Sequence, residues 1–381
     1  MKYLKGLFCI AVLIATVLLC ALTGSATQYS DIEEQYEHML DGIPSDIADL
    51  LPEGIFSRDV QQIGEAVKQM SSFEYIISAA LNFLGVGAKS ALELFATLLA
   101  LVVLSSLLRN VRSLVRSPAL SGAISFCSSA VLVGAITAIQ YDNLVMVTSF
   151  LDRLNVLASS MLPIMGVLYA MGGNVTAAVV NNSGMMVFLT VCEAVCNRTV
   201  FPVTALCLCF SLAAALSPGV DMKGIAGVVK KSFTVLIGFV MTLLMTVLAA
   251  QSTLAAAADG VAARTAKFVA GSFIPVVGSS VGDSLKTVAA GVKYIRASVG
   301  IMGVVIIALL VLPPLLSVML TRLAVMLSGA AARLLGCSEE ASVLGELTNI
   351  YGYLMAVISA CSVMFIFALT LLAHTSAAVG G

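Results

Sequence analysis

From about residue 90 onward the chain is a succession of apolar runs, each about 20 residues long and separated by short polar or charged stretches. A run of that length matches the hydrocarbon core of a bilayer at 1.5 Å per helical residue. With no water in that core, each segment satisfies its own backbone N–H and C=O groups, which makes helices of these runs. A transmembrane barrel would show roughly ten-residue alternating segments instead, and none is present. The runs predict eight spans, at about 90–108, 119–139, 154–172, 175–195, 199–217, 232–254, 298–320 and 348–373. The expected fold class is all-α, a polytopic helical membrane protein.

Two stretches depart from that rhythm. Residues 255–297 are apolar in part, yet broken by Gly271, Pro275, Gly278 and Gly282 and dotted with Arg264, Lys267, Lys286, Lys293 and Arg296. A discontinuous or re-entrant element fits them, because irregular backbone is tolerated at membrane depth where protein buries it or a cavity is lined. Pro163 and Gly166 form a similar interruption in the third span, and Leu162-Pro163-Ile164-Met165-Gly166 and Ile274-Pro275-Val276-Val277-Gly278 share one pattern. Paired Pro/Gly interruptions of this kind surround the central sites of transporter folds, so Pro163, Gly166, Pro275, Gly278, Gly282 and Asp283 are candidates to line or brace a path. A short amphipathic helix with Arg322 and Arg333 is expected after the seventh span.

The N-terminal part divides in two. Residues 1–26 read as a signal peptide: Lys2 and Lys5, an apolar run from Leu7 to Leu22, then Gly24-Ser25-Ala26 for cleavage, with an uncleaved first helix as the alternative. Cys20 follows Leu19, which argues against a lipoprotein site. Residues 27–88 form a polar segment expected outside the cytoplasm. Within it Phe56, Val60, Ile63, Val67 and Met70 follow steps of four and three and so share one helix face, expected to pack on the membrane body. The membrane domain is 89–375, and 376–381 is a short tail.

Charge sharpens this division. Residues 31–74 carry eleven acids against two bases, whereas 75–381 carry ten acids and sixteen bases scattered between spans. Arg109, Arg112 and Arg116 mark a cytoplasmic end, and counting spans from them puts Lys230 and Lys231 on the same side. Scattered bases of this kind specify topology and not a nucleic-acid surface. The composition agrees: 60% hydrophobic, 11% charged and a mean hydropathy of +1.04, where a soluble domain is about 25% charged.

Little in the chain suggests bond-making chemistry. Neither His38, in the acidic segment, nor His374 sits with carboxylates and cysteines at metal-ligand spacing, and no phosphate-binding Gly-rich loop ends in Lys-Ser or Lys-Thr. Gly278-Ser279-Ser280-Val281-Gly282 matches a nucleophile elbow in letters but lacks the strand–turn–helix context and a partnered histidine. The expectation is a protein that is not an enzyme and needs no cofactor or metal. The seven cysteines beyond residue 26 read as small apolar packing residues. Ionisable groups in or beside spans mark function more readily, and these are Glu93, Glu193 and Asp283. Asn174, Asn181 and Asn182 flank or enter the fourth span and could line a polar path or cap helices.

The sequence resembles the stage III sporulation protein AE family of endospore-forming bacteria. The resemblance rests on Ser272-Phe273-Ile274-Pro275-Val276-Val277-Gly278 with Gly282-Asp283 and Thr287 after it, on the acidic segment with Leu50-Leu51-Pro52-Glu53-Gly54, and on Tyr353-Leu354-Met355-Ala356 in the last span. It implies a mother-cell membrane protein facing the engulfed forespore, permease-like and part of a channel complex. The implied partners are the other stage III A operon membrane subunits, a separate ATPase and the forespore protein Q assembly, besides membrane lipid, with no nucleic acid; a homo-oligomer stays open. An independent secondary transporter and a partner-recruiting scaffold are the other classes considered.

Overall fold

In the computed structural model the described residues are 34–57, 60–114, 118–171, 175–192, 194–195, 202–207, 209–210, 222–273 and 278–374. They are helical almost throughout. A helix at residues 34–41 (α1) is followed by the single turn Ser45–Ala48 (α2), a 3-10 turn at Glu53–Phe56, and Val60–Met70 (α3). The long helices are Phe73–Leu114 (α4), Pro118–Met171 (α5), Val175–Cys192 (α6), Met222–Phe273 (α7), Gly278–Leu334 (α8) and Ser338–His374 (α9). Five stretches of these are long and apolar enough to cross a membrane, namely Phe73–Leu108, Tyr141–Met171, Gly227–Val261, Tyr294–Leu334 and Ser338–Ala373, with Thr176–Cys192 a shorter apolar helix. The protein is an all-α membrane protein, but the described residues do not reproduce a count of eight spans.

The difference has a definite origin. The runs at 119–139 and 154–172 are not two antiparallel spans but parts of one uninterrupted helix, α5, about 80 Å long at 1.5 Å per residue. The polar stretch Gln140-Tyr141-Asp142-Asn143 that separates them contains no Gly or Pro, so nothing in it stops a helix. Likewise the helix carrying Arg322 and Arg333 is the continuous end of α8, which runs through Pro313 and Pro314. The expected break near 275 falls on residues 274–277, which lie outside the described residues; α7 is helical to residue 273 and α8 from residue 278.

Contacts between named pairs give the direction of each rod. Gly303 lies against Met161, Gly300 against Met165 and Arg296 against Tyr169, so α5 and α8 are antiparallel. Gly87 meets Leu320 while the Cys337 thiol is 3.9 Å from the Val102 carbonyl, so α4 runs parallel to α8. Gly300 abuts Ala373 and Gly352 faces Arg322, which sets α9 antiparallel to α8. The turn between them is a Schellman closure: Gly336 takes φ 74°, the Cys337 N–H donates to the Ala332 carbonyl (2.8 Å) and the Gly336 N–H to that of Arg333 (3.0 Å). Lys230 pairs with Glu346 at 3.4 Å and the Phe233 ring packs on Tyr353, placing α7 parallel to α9. Thus α4, α6 and α8 run one way and α5, α7 and α9 the other.

One end of the bundle is basic: the last turns of α4 hold Arg109 and Arg112, and Lys230, Lys231 and Arg333 share that end. Arg109 and Lys230 thus lie toward one end of the bundle, while spans three and four cross in the opposite sense to the span count. At this end the Ser105 hydroxyl donates to the Glu340 carboxylate, and further into the bundle the Asn143 amide donates to the Tyr351 hydroxyl (3.0 Å).

The acidic segment occupies the other end. Met39, Ile43, Ile47, Leu51 and Ile55 recur every four residues and are all buried. Gly42 lies directly on Ser160 of α5. The Tyr36 hydroxyl donates to the Ile55 carbonyl (2.7 Å) beside Met302 of α8, and Tyr75 donates to the Leu50 carbonyl. Burial pushes the Tyr36 phenol well above its ordinary value. Residues 34–57 are therefore seated in the bundle mouth. Val67 and Met70 of α3 are buried as the face pattern predicts, whereas Phe56 is exposed.

Candidate functional site

Hydrocarbon offers no partner to a polar group, so polar side chains buried between the rods mark where the bundle spends structure on something other than packing. They gather along α6. Its first N–H groups have no intrahelical acceptor, and Asp259 of α7 supplies one: its carboxylate oxygens lie 3.0 Å from the Thr176 nitrogen and 2.7 Å from that of Ala177. Asp259 is buried. A carboxylate at a helix N-terminus is favoured by both the hydrogen bonds and the helix dipole.

One turn further on, the Ser252 hydroxyl of α7 donates to the Asn181 amide oxygen of α6. Asn182, on the neighbouring face, lies against Gly166 of α5, where a Cβ would come within 2.5 Å of its amide nitrogen. Gly184 has the same relation to Gln251, at 2.6 Å. A side chain at either position would have to displace that amide, which glycine avoids. Asp259, Ser252, Asn181 and Asn182 thus form a polar seam joining α5, α6 and α7, with the exposed Gln251 at its edge.

Next to the seam, one turn along α5 from Gly166, is Tyr169. The Arg296 guanidinium of α8 stacks over its ring with the carbon 4.5 Å from the ring centre. Arg296 is only 2% exposed. The Tyr169 hydroxyl donates to the Leu372 carbonyl of α9, which fixes the ring. Arg296 Nε, Asn182 Oδ1 and Asn155 Oδ1 are buried with no hydrogen-bond partner among the described residues. Among those residues no three His, Cys, Asp or Glu side chains form a metal cluster.

The residues singled out from sequence are distributed unevenly. Gly166 and Asn182 belong to the seam, as does Asn181. Pro163 does not: it sits inside the continuous helix α5, on an exposed strip with Val156, Ser159 and Ala170. The missing N–H of proline is tolerated there without breaking the helix, so the expected interruption at 163 is corrected to an outward-facing position. Glu93 is also exposed, on α4. Pro275, Glu193, Asn174 and Arg116 lie outside the described residues. Gly278, Gly282 and Asp283 fall in the first turns of α8, and their side chains, like those of Arg109 and Arg112, are not described. Asp259 and Arg296 were not picked out. Asp259 is nonetheless the one acid in the stretch Ala255–Ala263, and Arg296 lies two residues into an apolar run, which are the signals that could have found them.

A family model described as stage III sporulation protein AE matches residues 58–376. The chain belongs to the stage III sporulation protein AE family. A curated relative, stage III sporulation protein AE of Bacillus subtilis (strain 168), is 22% identical over 213 residues, which is 56% of this chain and 53% of the relative. The chain thus spans about half the length of the curated relative it matches. No solved structure matches it. The part of the chain assigned to the stage III AE family contains every seam residue and Arg296, while the seated segment 34–57 precedes it.

Proposed function

We propose that this chain is the polytopic subunit of the stage III A sporulation complex, lying in the mother-cell membrane against the engulfed forespore. It forms or braces a permease-like path between the two and performs no bond chemistry itself. The observation that carries the mechanistic part is the seam: a helix of 18 residues, α6, whose N-terminus ends on a buried carboxylate, flanked by amides held against glycines. Short or interrupted helices whose ends meet buried polar groups are how transporters build a polar route through an apolar bundle. Family membership supports the sporulation role.

In this reading the basic end faces the mother-cell cytoplasm, and the acidic segment faces the space between the two membranes. The operon's other membrane subunits and the forespore protein Q assembly would dock from that side, and a separate ATPase from the cytoplasm. The test is deletion of the gene in its native host, with heat-resistant spores counted against a complemented strain. Loss of spores after engulfment with normal vegetative growth supports the reading. Undiminished sporulation would overturn it. Replacing the wild-type copy by Gly166→Leu, which leaves Asn182 no room, then asks whether the seam is what the complex uses; stable protein with few spores is the expected outcome.

A further inference from the structure

The guanidinium of Arg296 is held in an unusual state. It is buried, its face rests on the Tyr169 ring, and it has neither an ion pair nor a hydrogen bond among the described residues. A buried cation without an anion is strongly unfavourable. Side chains in that position ordinarily swing toward solvent. This one is held in place. Gly300 and Gly303, one and two turns along α8, lie directly on Ala373 and Met161, which fixes α8 between α5 and α9. The stacking platform is fixed as well, by the bond from Tyr169 to the Leu372 carbonyl.

Stacking uses only the face of the guanidinium. Its N–H bonds lie in the plane and point outward from the edge, in the fork that matches the two oxygens of a carboxylate or phosphate. Nε is enclosed, whereas the terminal nitrogens are not among the fully buried unpartnered atoms. Tyr169 and Leu372 lie in the last described turns of α5 and α9, so the group is at the same end of the bundle as the acidic segment, the side from which an anionic headgroup or a dissolved anion would approach.

We propose that Arg296, on its Tyr169 platform, is a binding position for an oxyanion, a phosphate or carboxylate group that completes the bundle mouth. The idea deepens the path reading by giving the site a charge preference, yet anion binding is measured without transport or sporulation. The binding result and the spore count can therefore fail separately.

The experiment uses the full-length protein in nanodiscs, with thermal unfolding as readout. In one arm inorganic phosphate is titrated into phosphatidylcholine discs, against chloride at equal ionic strength. In the other, part of the phosphatidylcholine is replaced by phosphatidylglycerol. A rise of several degrees in the phosphate arm identifies a soluble oxyanion, and a rise confined to the phosphatidylglycerol arm identifies a headgroup. Arg296→Met should abolish the rise in either case while leaving the unliganded midpoint unchanged or higher, because no buried carboxylate loses a partner. Arg296→Lys, which keeps charge but lacks the fork, should need roughly tenfold more anion. No rise in either arm, an equal rise in Arg296→Met, or a lower unliganded midpoint in that variant overturns the proposal; the last would reveal a partner within the chain.

Discussion

Asp259 of α7 closes the N-terminus of α6 by accepting the N–H of Ala177 at 2.7 Å, while its second oxygen takes that of Thr176. Two helices are thereby joined end to side by a single buried carboxylate. Asp259→Ala would leave the buried Ala177 N–H and the partly buried Thr176 N–H without an acceptor and should destabilise the protein by about 1–3 kcal/mol. Asp259→Asn keeps one acceptor and should lose about half of that. Unfolding in mild detergent at graded denaturant distinguishes them, and equal stability of the Asp259→Asn variant and wild type would show that the charge is irrelevant.

Gly300 and Gly303 answer differently to the same substitution. A valine in place of Gly303 meets the flexible end of Met161, which can turn aside. A valine in place of Gly300 meets the Ala373 Cβ, with its backbone Cα 3.5 Å away, which cannot. Gly300→Val should therefore cost about 3 kcal/mol and Gly303→Val about 1 kcal/mol, within the range for overpacked interiors. Thermal unfolding of the two variants side by side gives the ranking; a reversed order would mean that α9, not Met161, gives way.

Gly336 carries the positive φ on which the reversal from α8 to α9 depends. Gly336→Ala should cost about 1 kcal/mol, and Gly336→Asn distinctly less, since asparagine tolerates the left-handed region. The comparison needs only melting curves of the three proteins.

Tyr36 links the seated segment to alkaline pH. The seated phenol keeps its proton to higher pH than the ordinary value of 10.0, whereas the same phenol in an unseated segment releases it near that value. The contribution of Tyr36 is therefore fully present below about pH 10 and falls as pH rises above it. Limited proteolysis of residues 34–57 should accelerate steeply from about pH 9.5 to 11 in wild type. Tyr36→Phe loses the bond to the Ile55 carbonyl, so its cleavage should be faster near neutral pH but should rise less steeply. Parallel profiles would exclude the phenol as the titrating group.

What the sequence disclosed follows from what sets each feature. Helical class and most rods were legible because a bilayer imposes length and apolarity on each segment separately. The merging of two runs into α5 was not, because hydropathy reports the polar Gln140–Asn143 stretch but not whether the backbone turns there. Asn181 and Asn182 stood out as amides in an apolar run. Asp259 and Arg296 were hidden by their neighbourhood, since a charge near a span end reads as an interfacial residue until the partners 83 and 127 positions away are known. Pro163 misled for the opposite reason: a proline signals a helix break in water, while a membrane helix absorbs it.

The seat of residues 34–57 fixes an order of events in biogenesis. Gly42 rests on Ser160 and Tyr36 beside Met302, so the earliest described part of the chain waits for segments synthesised more than a hundred and then more than two hundred residues later. Until α8 is inserted, the row from Met39 to Ile55 is only partly covered and is open to capture or cleavage. Such long sequence separations make closure the slow step. The half-made protein is thus a distinct species, with a partly covered apolar row on the far side of the membrane, and its lifetime is set by how quickly the last two helices arrive.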